Sequence, residues 1–264
     1  MKVISWNLNK ANSKAAAYEY LIQQNADILL LQEVLNMPSH LTKAYSVVLQ
    51  KCINKRFADQ NFANAILFRG EYLQQLNLQS KHNWVLQTRS QLKGNLQSLK
   101  VEIQGVPYNI LNIHSPAWKI PSSNMPQMVY EDIKLKQNSD IYMTEILYDL
   151  LRNLDTHNTP LIVGGDFNSS ETFDWMWGKT PRGNREIIDR MESLGLKECL
   201  RLKQQGLTPT FKNTTGGKVI HQLDHIYVNQ PLRTKLLSCA TESKSLILDN
   251  KLSDHLPIIC KFAD

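Results

Sequence analysis

The 264-residue chain predicts an α/β protein: one domain over residues 1–264, made of two packed β-sheets with helices outside. Three observations carry that expectation. Short continuous apolar runs, of which Ile28-Leu29-Leu30-Leu31 is the clearest, have the character of strands covered on both faces. Stretches with apolar residues three and four apart alternate with these runs in both halves of the chain, as helices flanking a sheet do. No Pro/Gly-rich linker separates the halves, and no repeat of solenoid length is present.

Taken in order, Val3 to Leu8 reads as a strand, and Ser13 then caps a helix whose Ala17, Tyr18, Leu21 and Ile22 share one face. Asn25 ends that helix, and Asp27 to Glu33 forms the second strand. Phe62–Phe68 and Val101–Ile113 are further strands, with a tight turn at Gly105-Val106-Pro107 inside the latter. Residues 116–138 contain Pro116, Pro121 and Pro126 around Ser122-Ser123-Asn124, the composition of a long loop. From Asp140 to Leu154 helical spacing returns, with Met143, Ile146, Leu147, Leu150, Leu151 and Leu154 on one side. Leu161–Val163 is a strand, Arg185–Leu194 a helix ended by Gly195, and His221–Val228 and His255–Phe262 are closing strands.

Composition narrows the class. Hydrophobic residues make up 42% and charged residues 20%, the balance of a soluble globular protein. No apolar run approaches the roughly 20 residues needed to span a bilayer. The strand at Val3 follows Lys2 too closely for a signal-peptide core, so the expectation is a cytoplasmic protein without membrane association or an obligate protein partner. Cys52, Cys199, Cys239 and Cys260 form no C-x-x-C pair, which argues against a zinc site or a disulfide framework; Cys260 in Ile258-Ile259-Cys260 reads as a small core residue. The formal charge is +6, with residues 81–136 at net +4, 137–200 at −5 and 201–264 at +4, a distribution that modestly favours a polyanionic partner.

Six short phrases place acid, amide or imidazole groups where strands end: Trp6-Asn7-Leu8-Asn9, Gln32-Glu33, Asn112-Ile113-His114, Gly165-Asp166-Phe167-Asn168, Leu223-Asp224-His225 and Ser253-Asp254-His255. A phosphodiester is an anion that resists nucleophilic attack. Its hydrolysis needs positive charge at a nonbridging oxygen and a prepared water, and oxygen-rich strand ends can supply both through a hard cation. Asp166 and Asn168 lie two apart on the turn after a buried strand and can point to the same side, while Gly164 and Gly165 would permit close backbone approach to a substrate.

In their order and contexts, these phrases make the chain resemble the endonuclease/exonuclease/phosphatase superfamily, the deoxyribonuclease I-like fold, from Asn7 to His255. The resemblance implies a four-layer α/β/β/α sandwich of two mixed sheets and a Mg²⁺- or Mn²⁺-dependent phosphodiester hydrolase, with a nuclease as the expected activity. It makes Glu33 the main metal ligand with Asn7 beside it and Asp254 on the metal side. It also implies that Asp166 orients or deprotonates the attacking water and that Asn168 hydrogen-bonds the phosphate. His255 would stabilise the phosphoryl group, and Asp224 would hold its ring by a hydrogen bond. His114 matches the histidine of deoxyribonuclease I, sphingomyelinases and many phosphatase relatives, where apurinic-site endonucleases generally carry tyrosine, so an abasic-site role is disfavoured.

Relatives sharing these phrases include sphingomyelinases, inositol-polyphosphate phosphatases and tyrosyl-DNA phosphodiesterases. A phosphatase or phosphodiesterase of small or lipid-derived phosphates, and a catalytically silent binding module, therefore stand as alternatives. The chain departs from the pattern at Asn9, where several relatives have an acid, at Gln222, often Arg, and at His225, often Tyr or Arg. These changes are expected to alter charge around the pocket. Asn64, Trp118, Arg182 and Arg185 are candidate substrate contacts, with Lys119, Trp175, Trp177 and Lys179 in the same loops, because aromatic and basic groups together stack bases and hold phosphates.

Overall fold

Strand after strand in this chain pairs so that both faces are covered, and the layers follow from that. The computed structural model describes residues 1–11, 16–125, 132–176, 182–213 and 216–264; Ser13, Pro126, Trp177 and Lys179 lie outside them. In chain order the strands are β1 (Lys2–Asn7), β2 (Ile28–Val34), β3 (Ser46–Ile53), β4 (Asp59–Phe68), β5 (Glu71–Gln75), β6 (Leu96–Ile103), β7 (Val106–His114) and β8 (Leu161–Asp166). They continue with β9 (Lys197–Glu198), β10 (Phe211–Lys212), β11 (Val219–His221), β12 (Asp224–Val228), β13 (Leu236–Thr241) and β14 (Ile258–Phe262). One six-stranded sheet runs β13-β14-β1-β2-β4-β3, the other β5-β6-β7-β8-β12-β9, and β10 and β11 form a separate ribbon. Each large sheet mixes parallel pairs, β1–β2 and β7–β8, with antiparallel ones.

Side-chain alternation sorts the core into layers. Val3, Ile28, Leu30 and Ile66 of the first sheet meet Val101, Ile110, Ile162 and Ile226 of the second in a core between the sheets. The intervening residues Ile4, Trp6, Leu29, Leu31 and Leu67 face outward onto helix Ala16–Gln24 through Ala17, Tyr18 and Leu21. On the far side, Leu111, Ile113, Leu161 and Val163 pack under Ile146, Leu147 and Leu150 of helix Met143–Leu151 and under Met191 of helix Asn184–Ser193. The order of layers is therefore helix, sheet, sheet, helix. A side chain such as Leu30, fully buried between sheets, stabilises the packing by about 2 kcal/mol. Among the described residues no helix is long and apolar enough to cross a membrane.

Several boundaries differ from expectation for local reasons. The β6–β7 turn falls at Gln104-Gly105, with φ of 53° and 78°, because a two-residue hairpin needs two left-handed residues; Val106 and Pro107 already belong to the strand. The expected strand His221–Val228 breaks at Gln222-Leu223, since β11 pairs with β10 while β12 joins β8. His255 precedes β14 and bridges to Phe211. The first helix does stop at Asn25, φ 49°, and helix Asn184–Ser193 is followed by Gly195 at φ 77°.

The two glycines of β8 have a different use from the one expected. A Cβ on Gly165, whose φ is 138°, would lie 1.9 Å from the Ile113 carbonyl oxygen, and one on Gly164 would lie 2.7 Å from Leu30 Cδ1 of the opposing sheet. They let β8 close on its neighbours rather than on a substrate. Gly165→Ala is expected to destabilise the protein by about 3 kcal/mol or more, read as a lowered Tm in thermal unfolding, because the clash is with backbone and the conformation is itself strained.

Candidate active site

The two sheets deliver their polar residues to one end. Asn7 closes β1 beside Gln32 of the parallel β2, His114 closes β7 opposite Asp166 of the parallel β8, and Asp166 faces Asp224, the first residue of β12. His255 arrives on the segment leading into β14, which runs antiparallel to β1. A buried amide network ties the sheets together here. Gln32 Nε2 donates to Asn112 Oδ1 at 2.7 Å, while Asn112 Nδ2 reaches the Leu31 and Ala65 carbonyls at 3.1 Å each and Gln97 Oε1 at 3.0 Å.

Glu33 owes its direction to a bulge. Between Leu31 and Val34, β2 carries two residues opposite the single Asn64 of β4, and Glu33 adopts φ 53°. A left-handed bulged residue re-aims its side chain out of the sheet. Asn64, fully buried, accepts the Glu33 N–H through Oδ1 at 3.3 Å and donates Nδ2 to the Gly94 carbonyl at 2.9 Å. With both polar ends engaged by backbone, Asn64 positions Glu33 and is not presented to a substrate: of the two readings its sequence context allows, a site-lining residue or a buried strand amide, the geometry fits the second.

Around Asp166 the geometry is tight. Its Oδ1 accepts the Asn168 N–H at 2.8 Å, and its Oδ2 accepts Asn7 Nδ2 at 3.0 Å, with His255 Nε2 at 3.9 Å and His114 Nε2 at 4.0 Å. Burial above all, with a contribution from Asp224 and against the pull of His255, raises the Asp166 carboxyl to about 7. Asn168, left-handed at φ 47°, donates Nδ2 to the Ser115 carbonyl at 2.7 Å.

His255 and Asp224 form a closed pair. The ring Nδ1 lies 2.8 Å from Asp224 Oδ2, and the same oxygen accepts the Thr210 hydroxyl at 2.7 Å. Burial works against a charged ring, but Asp224 foremost, then Asp166 and Asp254, outweigh it and raise the imidazole to about 10. His255 is thus a fixed cation aimed at Asp166. Its backbone is pinned as well: Trp6 Nε1 donates to the His255 carbonyl at 2.8 Å, and Ser253 Oγ accepts the His255 N–H at 3.0 Å while donating to the Asn7 carbonyl at 2.7 Å. His114 is the opposite case. Burial, then the charge of His255, lowers it to about 4, so it is a neutral ring standing 3.7 Å from Glu33 Oε1.

The donor set suits a hard divalent cation at Glu33. Burial foremost raises the Glu33 carboxyl despite Lys10 and His255, and the nearest cation, Lys10 Nζ, stays 3.9 Å from Oε2. A largely enclosed carboxylate matches the oxygen preference of Mg²⁺ or Mn²⁺; the Asn7 oxygen beside it accepts the Asn9 N–H at 2.9 Å and keeps one lone pair for a cation. Asp166, Asp224 and His255 also lie within 4.8 Å of one another. There, however, one oxygen of Asp224 is already shared by the His255 ring and the Thr210 hydroxyl, and the surrounding acids draw the imidazole toward its protonated form, which offers no lone pair to a metal. Asp254 is half-buried at the rim on the Glu33 side, close enough to influence both Glu33 and His255.

The other expected substrate contacts divide. Trp118 packs edge-on against Phe57 at 5.8 Å and covers the core. Arg185 is held by Glu171 at 3.2 Å and Asp189 at 3.0 Å. Arg182 is exposed and, with Ser115, Tyr142, Phe167, Asn168 and Phe173, lines a cavity of about 280 Å³ beside Asn168. Trp175 is 69% exposed. Gln222 and His225 are buried and engage each other at 3.2 Å, and burial lowers His225 to about 4; they pack under the site and add no charge to it.

Residues to which the sequence assigned no role complete the arrangement. Thr210, Ser253 and Trp6 fix the acid–imidazole pair, and no spacing relative to Asp224 marks Thr210 in advance. Lys10 sits over the Phe62 ring at 5.5 Å, and with Lys212 and Lys251 it lines a concavity of about 330 Å³ that includes Asn9, Ser253 and Asp254. A basic residue three places after Asn7 was visible, but its convergence with the other two lysines depends on the fold.

The model of the Endonuclease/Exonuclease/phosphatase family matches residues 4–255. A comparison with curated proteins finds no match. Among solved structures, the 3′ phosphatase NExo from Neisseria bound to product DNA hairpin superposes with a TM-score of 0.69 at 20% identity, covering 100% of both chains. An AP endonuclease from Archaeoglobus fulgidus gives the same TM-score, identity and coverage. The APE2 catalytic domain of Xenopus laevis gives 0.67 at 16% identity, over 99% of this chain and 91% of that one. At these identities the likeness establishes the shared fold.

Proposed function

Because the chain belongs to the endonuclease/exonuclease/phosphatase family, we propose that it is a divalent-metal-dependent phosphodiesterase that hydrolyses nucleic acid. The observation carrying this reading is the convergence of Glu33, His114, Asp166 and His255, with His114 between the two carboxylates and His255 3.9 Å from Asp166. Glu33 and Asn7 would hold the cation, and Asp254 would add negative charge on the same side. When bound, the cation neutralises charge on the phosphate oxygens. Asp166, raised to about 7, takes the proton of the attacking water, and Asn7 and Asn168 keep its carboxylate aligned. His255, kept cationic by Asp224, stabilises the negative charge that develops on the phosphoryl oxygens. His114, a neutral ring between the carboxylates, is placed to donate a hydrogen bond from Nε2 to a phosphate oxygen.

Two surroundings favour a polymer over a small phosphate. On one side of Asp166 lies the cavity with Arg182, Tyr142 and Phe173, and on the Asp254 side lies the concavity with Lys10, Lys212 and Lys251. A chain of nucleotides would cross both, its backbone following the lysines.

The test is hydrolysis of single-stranded DNA, duplex DNA, RNA and inositol phosphates with Mg²⁺, Mn²⁺ or EDTA. Metal-dependent cleavage of a nucleic acid is expected, and cleavage that survives EDTA would sink the mechanism. Replacing Lys10, Lys212 and Lys251 together by alanine is expected to raise KM about 10–100-fold. The same change should make the logarithmic salt slope of binding shallower by about 0.9 for each phosphate that is no longer neutralised. An unchanged salt slope, or turnover confined to inositol phosphates, would refute the nucleic-acid substrate.

A further inference from the structure

Three of the four cysteines, distant in sequence, meet in the core between the sheets. Cys239 of β13 and Cys260 of β14 are register partners, and their sulfurs are 3.0 Å apart. Cys199, the first residue of helix Cys199–Gln204, approaches from the second sheet, and its thiol hydrogen-bonds with both. All three are buried free thiols. Each thiol fills the place of a small apolar core residue, and the convergence of three brings their sulfurs into mutual contact.

Directly opposed residues on antiparallel strands have Cα atoms about 4.5–5.5 Å apart, inside the roughly 4.4–6.8 Å window of a disulfide. The two sulfurs already lie closer than ordinary nonbonded contact. We propose that Cys239 and Cys260 are an oxidative modification site, closing to a cross-strand disulfide when the protein meets a hydroperoxide.

The chemistry balances with hydrogen peroxide as oxidant. The Cys239 thiolate attacks one peroxide oxygen, the O–O bond breaks, and water leaves a sulfenic acid. The Cys260 sulfur then displaces the sulfenic oxygen as a second water, forming the S–S bond. Two thiols lose two electrons and two protons, and the peroxide becomes two waters. Cys239 is the attacking sulfur for two reasons. It lies on the edge strand of its sheet, between the exposed Ser238 and Ala240, where opening the edge admits a molecule the size of water. The Cys199 and Cys260 thiols donate toward it and favour its thiolate, with Lys203 adding to the effect.

The bond would close the chain over a separation of 21 residues, and the loop so formed contains Asp254 and His255. It would restrain the segment that brings His255 to the site, without touching the site itself.

The test is a thiol count. Native protein is treated with a modest excess of hydrogen peroxide, denatured, titrated for free thiols and mapped by peptide mass spectrometry. The expected result is a fall from four thiols to two, a Cys239–Cys260 linked peptide, and a Tm higher by roughly 5 °C or more that dithiothreitol reverses. Cys260→Ala should form no linked peptide under the same treatment and should lose at most the Cys239 thiol, recovered as a sulfenic acid trapped by dimedone. Retention of all four thiols by the native wild-type protein, or a linked pair that includes Cys52 or Cys199, would overturn the proposal.

Discussion

His255→Ala is expected to lower kcat for phosphodiester cleavage by about 10³–10⁴-fold while leaving KM within a few-fold. The ring is a fixed cation 3.9 Å from Asp166, and its charge is of most use when negative charge builds on the phosphoryl group. Its loss is felt twice. The transition state loses its cation, and Asp224 is left buried with the Thr210 hydroxyl as its remaining side-chain partner. A lowered Tm should accompany the kinetic loss for that reason. Asp224→Asn separates the two effects: it keeps the volume and a hydrogen bond but removes the charge that holds the ring cationic, so kcat should fall while Tm changes little. Single-turnover rates with thermal melts decide the matter. A variant without His255 that retains more than a tenth of wild-type kcat would remove this residue from the chemistry.

Glu33→Gln is the second large effect. It substitutes a neutral amide for the carboxylate that the bulge in β2 aims outward, and divalent-cation affinity is expected to weaken by about 100-fold or more. The readout is direct titration of Mn²⁺ binding by calorimetry or electron paramagnetic resonance, which reports on the site even if turnover vanishes. Excess metal should restore part of the rate. Asn64→Ala is expected to show a weaker form of the same defect, about 10-fold, because it frees the Glu33 backbone without removing the ligand. Unchanged Mn²⁺ affinity in Glu33→Gln would place the cation elsewhere.

Much of this protein was legible before its fold, for identifiable reasons. The strands announce themselves because Ile28 to Leu31 must be apolar on both faces, and the site residues sit at strand ends, where period-two packing no longer constrains residue type. What stayed hidden depends on through-space closure. Asn64 reads as a polar residue in a strand and could not be assigned to the Glu33 amide without the bulge. Gly164 and Gly165 look like a ligand loop, but their neighbours prove to be Ile113 and Leu30. Thr210 joins Asp224 across 14 residues with no periodicity to betray it. Asn112 and Gln32, adjacent to chemistry in sequence, turn out to fasten the two sheets.

The pinning of His255 by Trp6 and of Asn7 by Ser253 spans 249 and 246 residues, and Asn7 reaches Asp166 across 159. Contacts of such separation repay the entropy of loop closure only once the intervening chain is in place, so they are expected to complete late in folding. Recovery of activity after dilution from denaturant should therefore lag behind recovery of helical signal. A proteolytic fragment lacking either β1 or the Ser253–His255 segment would have no residual catalytic function to lose, because the site exists only in the completed topology.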